Sequence, residues 1–256
     1  QYESEANAWG RILESARPRL IVAQVVQSVK HNATLTFDFV CLLIIAAFTA
    51  ALALVENSIV ILVASMLISP LMGPIMAGMF GTVIKDKKLQ KMGVCNELLG
   101  LLLCVLIGFL FGILVGVTGN HWVIGTGDWP TDEMISMGAL KALWVGVMVA
   151  LLSGAAVAIA ILGDNTGSLI GAALSVALLP PAVNAGLLWS LSAVNLLFGN
   201  SIKFSRHYSP LWTPKPNLEL AILGGLSLCL TIINIICIFL AGILVLKVNQ
   251  FQIFNI

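Results

Sequence analysis

The sequence predicts an all-α integral membrane protein of six transmembrane helices arranged as a 3+3 inverted repeat, with helices 2 and 5 discontinuous at prolines. Three observations lead there. The 256-residue chain is 59% hydrophobic and 10% charged, with a mean hydropathy of +1.02, more apolar surface than one water-soluble core could bury. Its apolar residues come in long runs without strand-like alternation, and in hydrocarbon such a run must satisfy its own backbone as a helix. Finally, two of the runs carry proline pairs at corresponding places.

Residues 1–34 are the most polar stretch, yet Trp9, Ile12, Leu13, Ala16, Leu20 and Ile21 recur at helical spacing, interrupted at Pro18. Arg11, Arg17, Arg19 and Lys30 add basic character. The pattern fits an amphipathic segment lying on an anionic cytoplasmic leaflet, or equally a helix packed on a soluble domain outside this sequence. The start at Gln1 rather than Met suggests that more chain precedes it.

Repeat 1 occupies 35–118. Its first span, 37–54, ends at the short polar turn Glu56-Asn57-Ser58. The second, 59–84, contains Ser69-Pro70-Leu71-Met72-Gly73-Pro74 near its middle, where two prolines remove helical donors, so a broken helix is expected. After Lys85, Asp86, Lys87, Lys88 and Lys91 comes a third span, 94–117. The loop 119–138 holds Trp122, Trp129, Asp128, Asp132 and Glu133 and no lysine or arginine, the signature of an extracytoplasmic loop.

Repeat 2 occupies 139–247. The fourth span, 139–162, ends in Gly163-Asp164-Asn165-Thr166-Gly167. The fifth, 168–198, is interrupted by Leu179-Pro180-Pro181 with Asn184 beyond, and the sixth covers 218–246, ahead of a tail at 248–256. Lysines and arginines concentrate on one side, which places both termini in the cytoplasm. The sequon Asn32-Ala33-Thr34 should then carry no glycan.

The string from Ala64 to Pro74 corresponds without a gap to that from Gly171 to Pro181, about 107 residues further on, and each follows a similar turn, Glu-Asn-Ser or Asp-Asn-Thr. Three spans per unit is an odd number, so the second copy must cross the membrane in the opposite sense. Broken helices leave backbone polar groups at mid-membrane depth, facing protein or water. A substrate pathway is therefore expected along Ser65, Ser69, Pro70, Gly73 and Pro74 in one half and Ser175, Pro180, Pro181 and Asn184 in the other. The alternative is a pair of kinks that only accommodate packing.

Glu56, Asn57, Asp164 and Asn165 are candidates for ion or proton coupling, or else charged and polar residues at the membrane boundary. Asp38, Glu97, Lys141 and Glu219, also near span ends, are expected to snorkel to the interface. Gly100, Gly108, Gly112 and Gly116 mark a face for close packing, within a subunit or between subunits.

The segments Ser65-Met66-Leu67-Ile68-Ser69-Pro70-Leu71-Met72-Gly73-Pro74-Ile75-Met76 and Ala177-Leu178-Leu179-Pro180-Pro181 resemble the family called domain of unknown function 389, over about 36–246. The resemblance implies a multi-pass membrane unit, often preceded by a soluble domain, and no activity or catalytic residue. The expected function is a secondary transporter or channel moving a small solute or ion between the two breaks, through a site that suits small anions, carboxylates or neutral polar solutes. The alternative is a non-transporting scaffold or sensor whose function resides in a soluble domain upstream. Enzyme chemistry is not expected. Gly125-Thr126-Gly127-Asp128 has an aspartyl-protease look but lies in a polar loop without a partner aspartate. Scattered His31, His121 and His207 and five unpaired-spacing cysteines argue against a metal site. Cofactors are expected to be none, and the partners a lipid bilayer, a small solute or ion and a second copy in a homo-oligomer, with no nucleic acid.

Overall fold

The computed structural model describes residues 26–118, 130–162, 168–198 and 216–254, all of them helical or in short turns. Helix α1 covers 26–33. The Thr34 hydroxyl donates to the His31 carbonyl (2.8 Å) and closes it. Two residues on, Thr36 caps α2 (Phe37–Val55), its side chain accepting from the Phe39 N–H at 3.2 Å, with Asp38 in the first turn to complement the helix dipole. The helix ends where the Glu56 N–H turns back on the Leu52 carbonyl and Asn57 takes a left-handed conformation, φ 52°.

Helix α3 (Ile59–Ile68) is only 10 residues, about 15 Å at helical rise, and cannot span a hydrocarbon core of about 30 Å alone. Helix α4 (Met72–Val83) follows, bent 53° from it across Ser69-Pro70-Leu71, and the pair together has the length and apolarity of a broken span or a re-entrant loop. The proline ring disfavours helical geometry in the preceding residue, and Ser69 is extended at φ −67°, ψ 127°. Pro74, by contrast, lies in the first turn of α4, where the missing N–H costs little. Lys85, φ 61°, reverses the chain, and the Asp86 carboxylate accepts from the N–H groups of Lys88 (2.9 Å) and Leu89 (3.3 Å) to start α5 (Lys87–Thr118).

The short α6 (Asp132–Gly138) precedes α7 (Leu140–Leu162), α8 (Ser168–Phe198) and α9 (Pro216–Phe254). Among the described residues, α2, α5, α7 and α9 are each long and apolar enough to cross a membrane, and the bent α3–α4 pair makes a fifth such unit. Helix α8 is the hub. Every residue from 178 to 188 is buried, and α8 touches α2, α3, α4, α5, α6, α7 and α9. The outer helices turn large apolar side chains outward instead, among them Leu102, Leu106, Leu110, Trp144, Leu152, Leu240 and Leu244, which suits a lipid solvent.

Glycine sets the closest crossing. A Cβ at Gly108 would overlap the Val183 carbonyl, one at Gly112 the Ser190 hydroxyl and one at Gly186 the Val105 carbonyl, so α5 and α8 meet backbone to backbone. The pairs Gly108 with Val183 and Gly116 with Val194 rise together along both chains, so these helices run parallel. The glycine face of α5 is therefore an internal packing surface.

Three expectations need correction. The fifth span is not discontinuous: α8 runs as one helix with Pro180 and Pro181 inside it. A proline pair deletes two donors, but a buried helix gripped on all sides keeps its path, because its neighbours hold what the local hydrogen bonds no longer do. Glu97 and Glu219 do not snorkel, each being 2% exposed, whereas Asp38 and Lys141 are exposed as expected. The loop 119–138 is not wholly a loop, since α6 occupies its end and buries Met134 completely.

Candidate functional site

The break at Ser69-Pro70-Leu71 lies within the bundle. Ser65 and Ser69, four residues apart on one helical face, point inward, while Val60, Val63 and Leu67 face out. The inward face of α3 meets α8. The Ser65 hydroxyl donates to the Leu62 carbonyl at 2.6 Å, so in this state it is engaged within its own helix. Leu71, Gly73 and Pro74 are buried on the α4 side of the break.

The break has more acceptors than donors. Pro70 offers no N–H to the Met66 carbonyl, and the exit from α3 leaves the Leu67 and Ile68 carbonyls without a helical donor. On the other side the Gly73 N–H already donates to the Pro70 carbonyl (3.2 Å), Pro74 has none, and only the Leu71 and Met72 N–H groups lack helical acceptors. Orphan carbonyls suit a cation or a hydrogen-bond donor better than an anion.

The α8 prolines lie along the same helix as the break, α5. Along α5, Gly100 abuts Leu71 of the break and Gly108 abuts Val183, two residues past Pro181, so both proline segments flank one stretch of α5 about 12 Å long. Here the polar groups form a chain. The Asn184 amide donates to the Met134 carbonyl (2.9 Å) and to the Ser227 hydroxyl (3.3 Å), and that hydroxyl donates to the Pro181 carbonyl (2.8 Å). Thr231 donates to the Ser227 carbonyl at 3.2 Å. Asn184 is fully buried, yet its Oδ1 has no hydrogen-bond partner among the described residues.

Ser65, Ser69, Pro70, Gly73, Pro74, Pro180, Pro181 and Asn184 are thus all buried or half-buried, on helices α3, α4 and α8 that touch one another. The structure separates Glu56 and Asn57 from them. Both are exposed at the far turn, where the Asn57 Oδ1 accepts from the Glu133 N–H (3.2 Å) and Thr131 donates to the Leu54 carbonyl (2.7 Å), so Asn57 works as a clamp on α6. Asp164 and Asn165, the side chain of Ser175 and the segments 1–25 and 119–129 lie outside the described residues. No group of three or more metal-binding side chains occurs among the described residues.

Two groups escaped sequence reasoning. Ser227 lies mid-way along an apolar span with nothing local to mark it, and only the packing of α9 on α8 reveals its bond to Pro181. Glu97 is legible as a carboxylate a few residues inside a span, but its burial, 2% exposed, is set by the packing of other helices on α5.

Residues 66–240 match the family described as Domain of unknown function (DUF389), more than half of the chain. The chain belongs to the DUF389 family. A relative of this DUF389 chain, an uncharacterized protein of Methanocaldococcus jannaschii, is 24% identical over 186 residues, covering 73% of this chain. The chain spans 54% of that relative's length. No solved structure matches. The DUF389 match begins inside α3 and ends inside α9, so it takes in the break, the α8 prolines and Glu97 together.

Proposed function

We propose that this DUF389 unit is a membrane permeation protein, a secondary transporter or channel that passes a small cation or hydrogen-bond-donating solute between the α3–α4 break and α8. The observation that carries the reading is the 53° interruption turned inward against the central helix, with surplus carbonyls beside it. Irregular backbone at such depth is tolerated where it is buried in protein or lines a water-filled path.

Neighbour relations support the inverted repeat. Contact of α2 with α5 is answered by α7 with α9, α4 with α5 by α8 with α9, α2 with α3 by α7 with α8, and α5 with α8 by α9 with α4. A pseudo-two-fold axis in the membrane plane relates pairs in this way, with α8 as the sixth crossing and the α3–α8 contact on the axis. Only one half is interrupted, so the halves differ at the point where a solute would pass. A fixed α8 and a broken α3–α4 pair divide the work into a wall and a gate.

The test is flux in proteoliposomes across a panel of monovalent cations and small neutral solutes. Flux is expected for the wild type and lost in Pro70→Ala, which restores the missing donor and favours one straight helix, while Pro181→Ala keeps it. Absence of flux across the whole panel, with folded protein, would favour a scaffold or sensor acting through chain outside this unit.

A further inference from the structure

Glu97 is 2% exposed, and neither carboxyl oxygen has a hydrogen-bond partner among the described residues. Glu219, buried to the same degree, does have a partner. The position of Glu97 is defined by its own helix. One turn earlier Gly93 abuts the Pro74 carbonyl and Gly78, and one turn later Gly100 abuts Leu71. Glu97 therefore lies on the face of α5 turned to the first turn of α4, directly after the break. The neighbouring Asn96 amide donates to the Ala33 carbonyl (2.7 Å), and the Asn32 carbonyl lies against Gly73, so the end of α1 closes over the same place.

We propose that Glu97 is a proton-binding carboxyl set beside the α3–α4 break, and that its loading and unloading couples a proton to the state of that break. An ionised carboxylate taken out of water without a counter-charge or hydrogen bond is so costly that the group must hold a proton or a cation. A metal cation needs several converging oxygens. The face of α4 opposite Glu97 supplies Leu71, Pro74 and glycine instead, and a proton needs no such cage.

No fixed charge competes for it. Helix α4 has no ionisable residue, and the described side chains of α8 have none. From α2 come Asp38, exposed, and Cys41, half-buried; from α1 come Lys30 and His31, both exposed. On α5 itself Lys87, Lys88, Lys91 and Cys95 are exposed, and Cys104 is buried two turns further on. A shallow notch of about 400 Å³ is lined by Gln27, Ser28, His31 and Asn32 of α1.

The two states differ in what they attract. Neutral Glu97 packs as it stands, whereas the charged form is drawn to the N-terminal end of α4, where the Leu71 and Met72 N–H groups lack helical acceptors. Loss of the proton would thus pull on the first turn of α4 and on the α1 end seated against it. The role in coupling rests on the permeation reading; the proton site itself does not.

A hydrophobic carbodiimide, which reacts with protonated carboxyls inside membranes, supplies a readout independent of flux. With the purified full chain in lipid, mass spectrometry is expected to place the adduct on Glu97, with labelling falling about tenfold per pH unit above the site's titration point. Glu97→Gln should abolish that adduct, and Glu97→Asp should retain it should the glutamine variant fail to fold. Absence of a Glu97 adduct in folded wild type at every pH would overturn the proposal. So would labelling blocked by sodium or potassium and indifferent to pH, which would mark a cation site. A labelled Glu97 in a protein without flux would leave the proton site standing and remove the transport reading.

Discussion

Single residues here act mostly through what they hold in place. Thr36 caps α2, and replacing it with Ala should cost about 1 kcal/mol, read as a lowered unfolding midpoint in detergent. Asn184 is more consequential. Its amide joins α6 to α8 and α9 through the Met134 carbonyl and Ser227, so Asn184→Ala leaves a buried carbonyl and a buried hydroxyl each with one bond fewer. A loss of about 1–3 kcal/mol is expected, and Asn184→Asp, which keeps the shape but replaces the donating amide, should recover little of it. A variant as stable as wild type would remove Asn184 from the structural account. Sequence reasoning singled out Asn184 as a pathway candidate from its place after the prolines; the structure shows it buried and bonded between α6 and α9. The same reasoning misjudged Glu97, because closeness to a span end is a statement about depth, and burial is a statement about neighbours.

At the scale of elements, the two proline segments should respond in opposite ways to the same change. Pro70 stands where the chain has already left the helix, so Pro70→Ala acts on the shape of the α3–α4 pair. Pro180 stands inside a continuous helix, where its ring and missing N–H work against the conformation it is in. Pro180→Ala is accordingly expected to leave stability unchanged or raise it, by up to about 3 kcal/mol, in thermal unfolding. A large loss would show that α8 needs its proline for a bend. Gly108 offers the contrary case. The Val183 carbonyl occupies the space a side chain would take, and backbone cannot swing aside, so Gly108→Ala should destabilise by about 1–3 kcal/mol or more. The same stripe of glycines was open to use between copies of the chain; its use inside the bundle removes that argument for an oligomer.

Across the whole molecule, the proposed six-crossing topology puts the α4–α5 turn at Lys85 and Asp86 opposite the α2–α3 turn at Asn57, the latter held to α6. With single cysteines placed at Lys88 and at Glu133 in a cysteine-free background, a membrane-impermeant maleimide is expected to label them from opposite sides. Labelling of both from one side would end the six-crossing topology. The charge bias assigns the Lys88 side to the cytoplasm, and that assignment is tested in the same experiment with right-side-out and inverted vesicles.

The amino-acid sequence alone determined the solvent and the all-helical, apolar character of the long segments, and it marked the turn at Glu56-Asn57-Ser58. Those properties follow from hydropathy, helical rise and the backbone demands of hydrocarbon, each of which acts on residues close in the chain. It also located both proline segments, but not which of them would break. That was left to the tertiary structure, because a helix enclosed by seven others can keep a geometry its own hydrogen bonds do not favour, while a short helix with one lipid-facing side cannot. The burial of Glu97 and the Asn184–Ser227–Pro181 chain were decided at the same level, since both depend on residues from separate helices arriving at one depth.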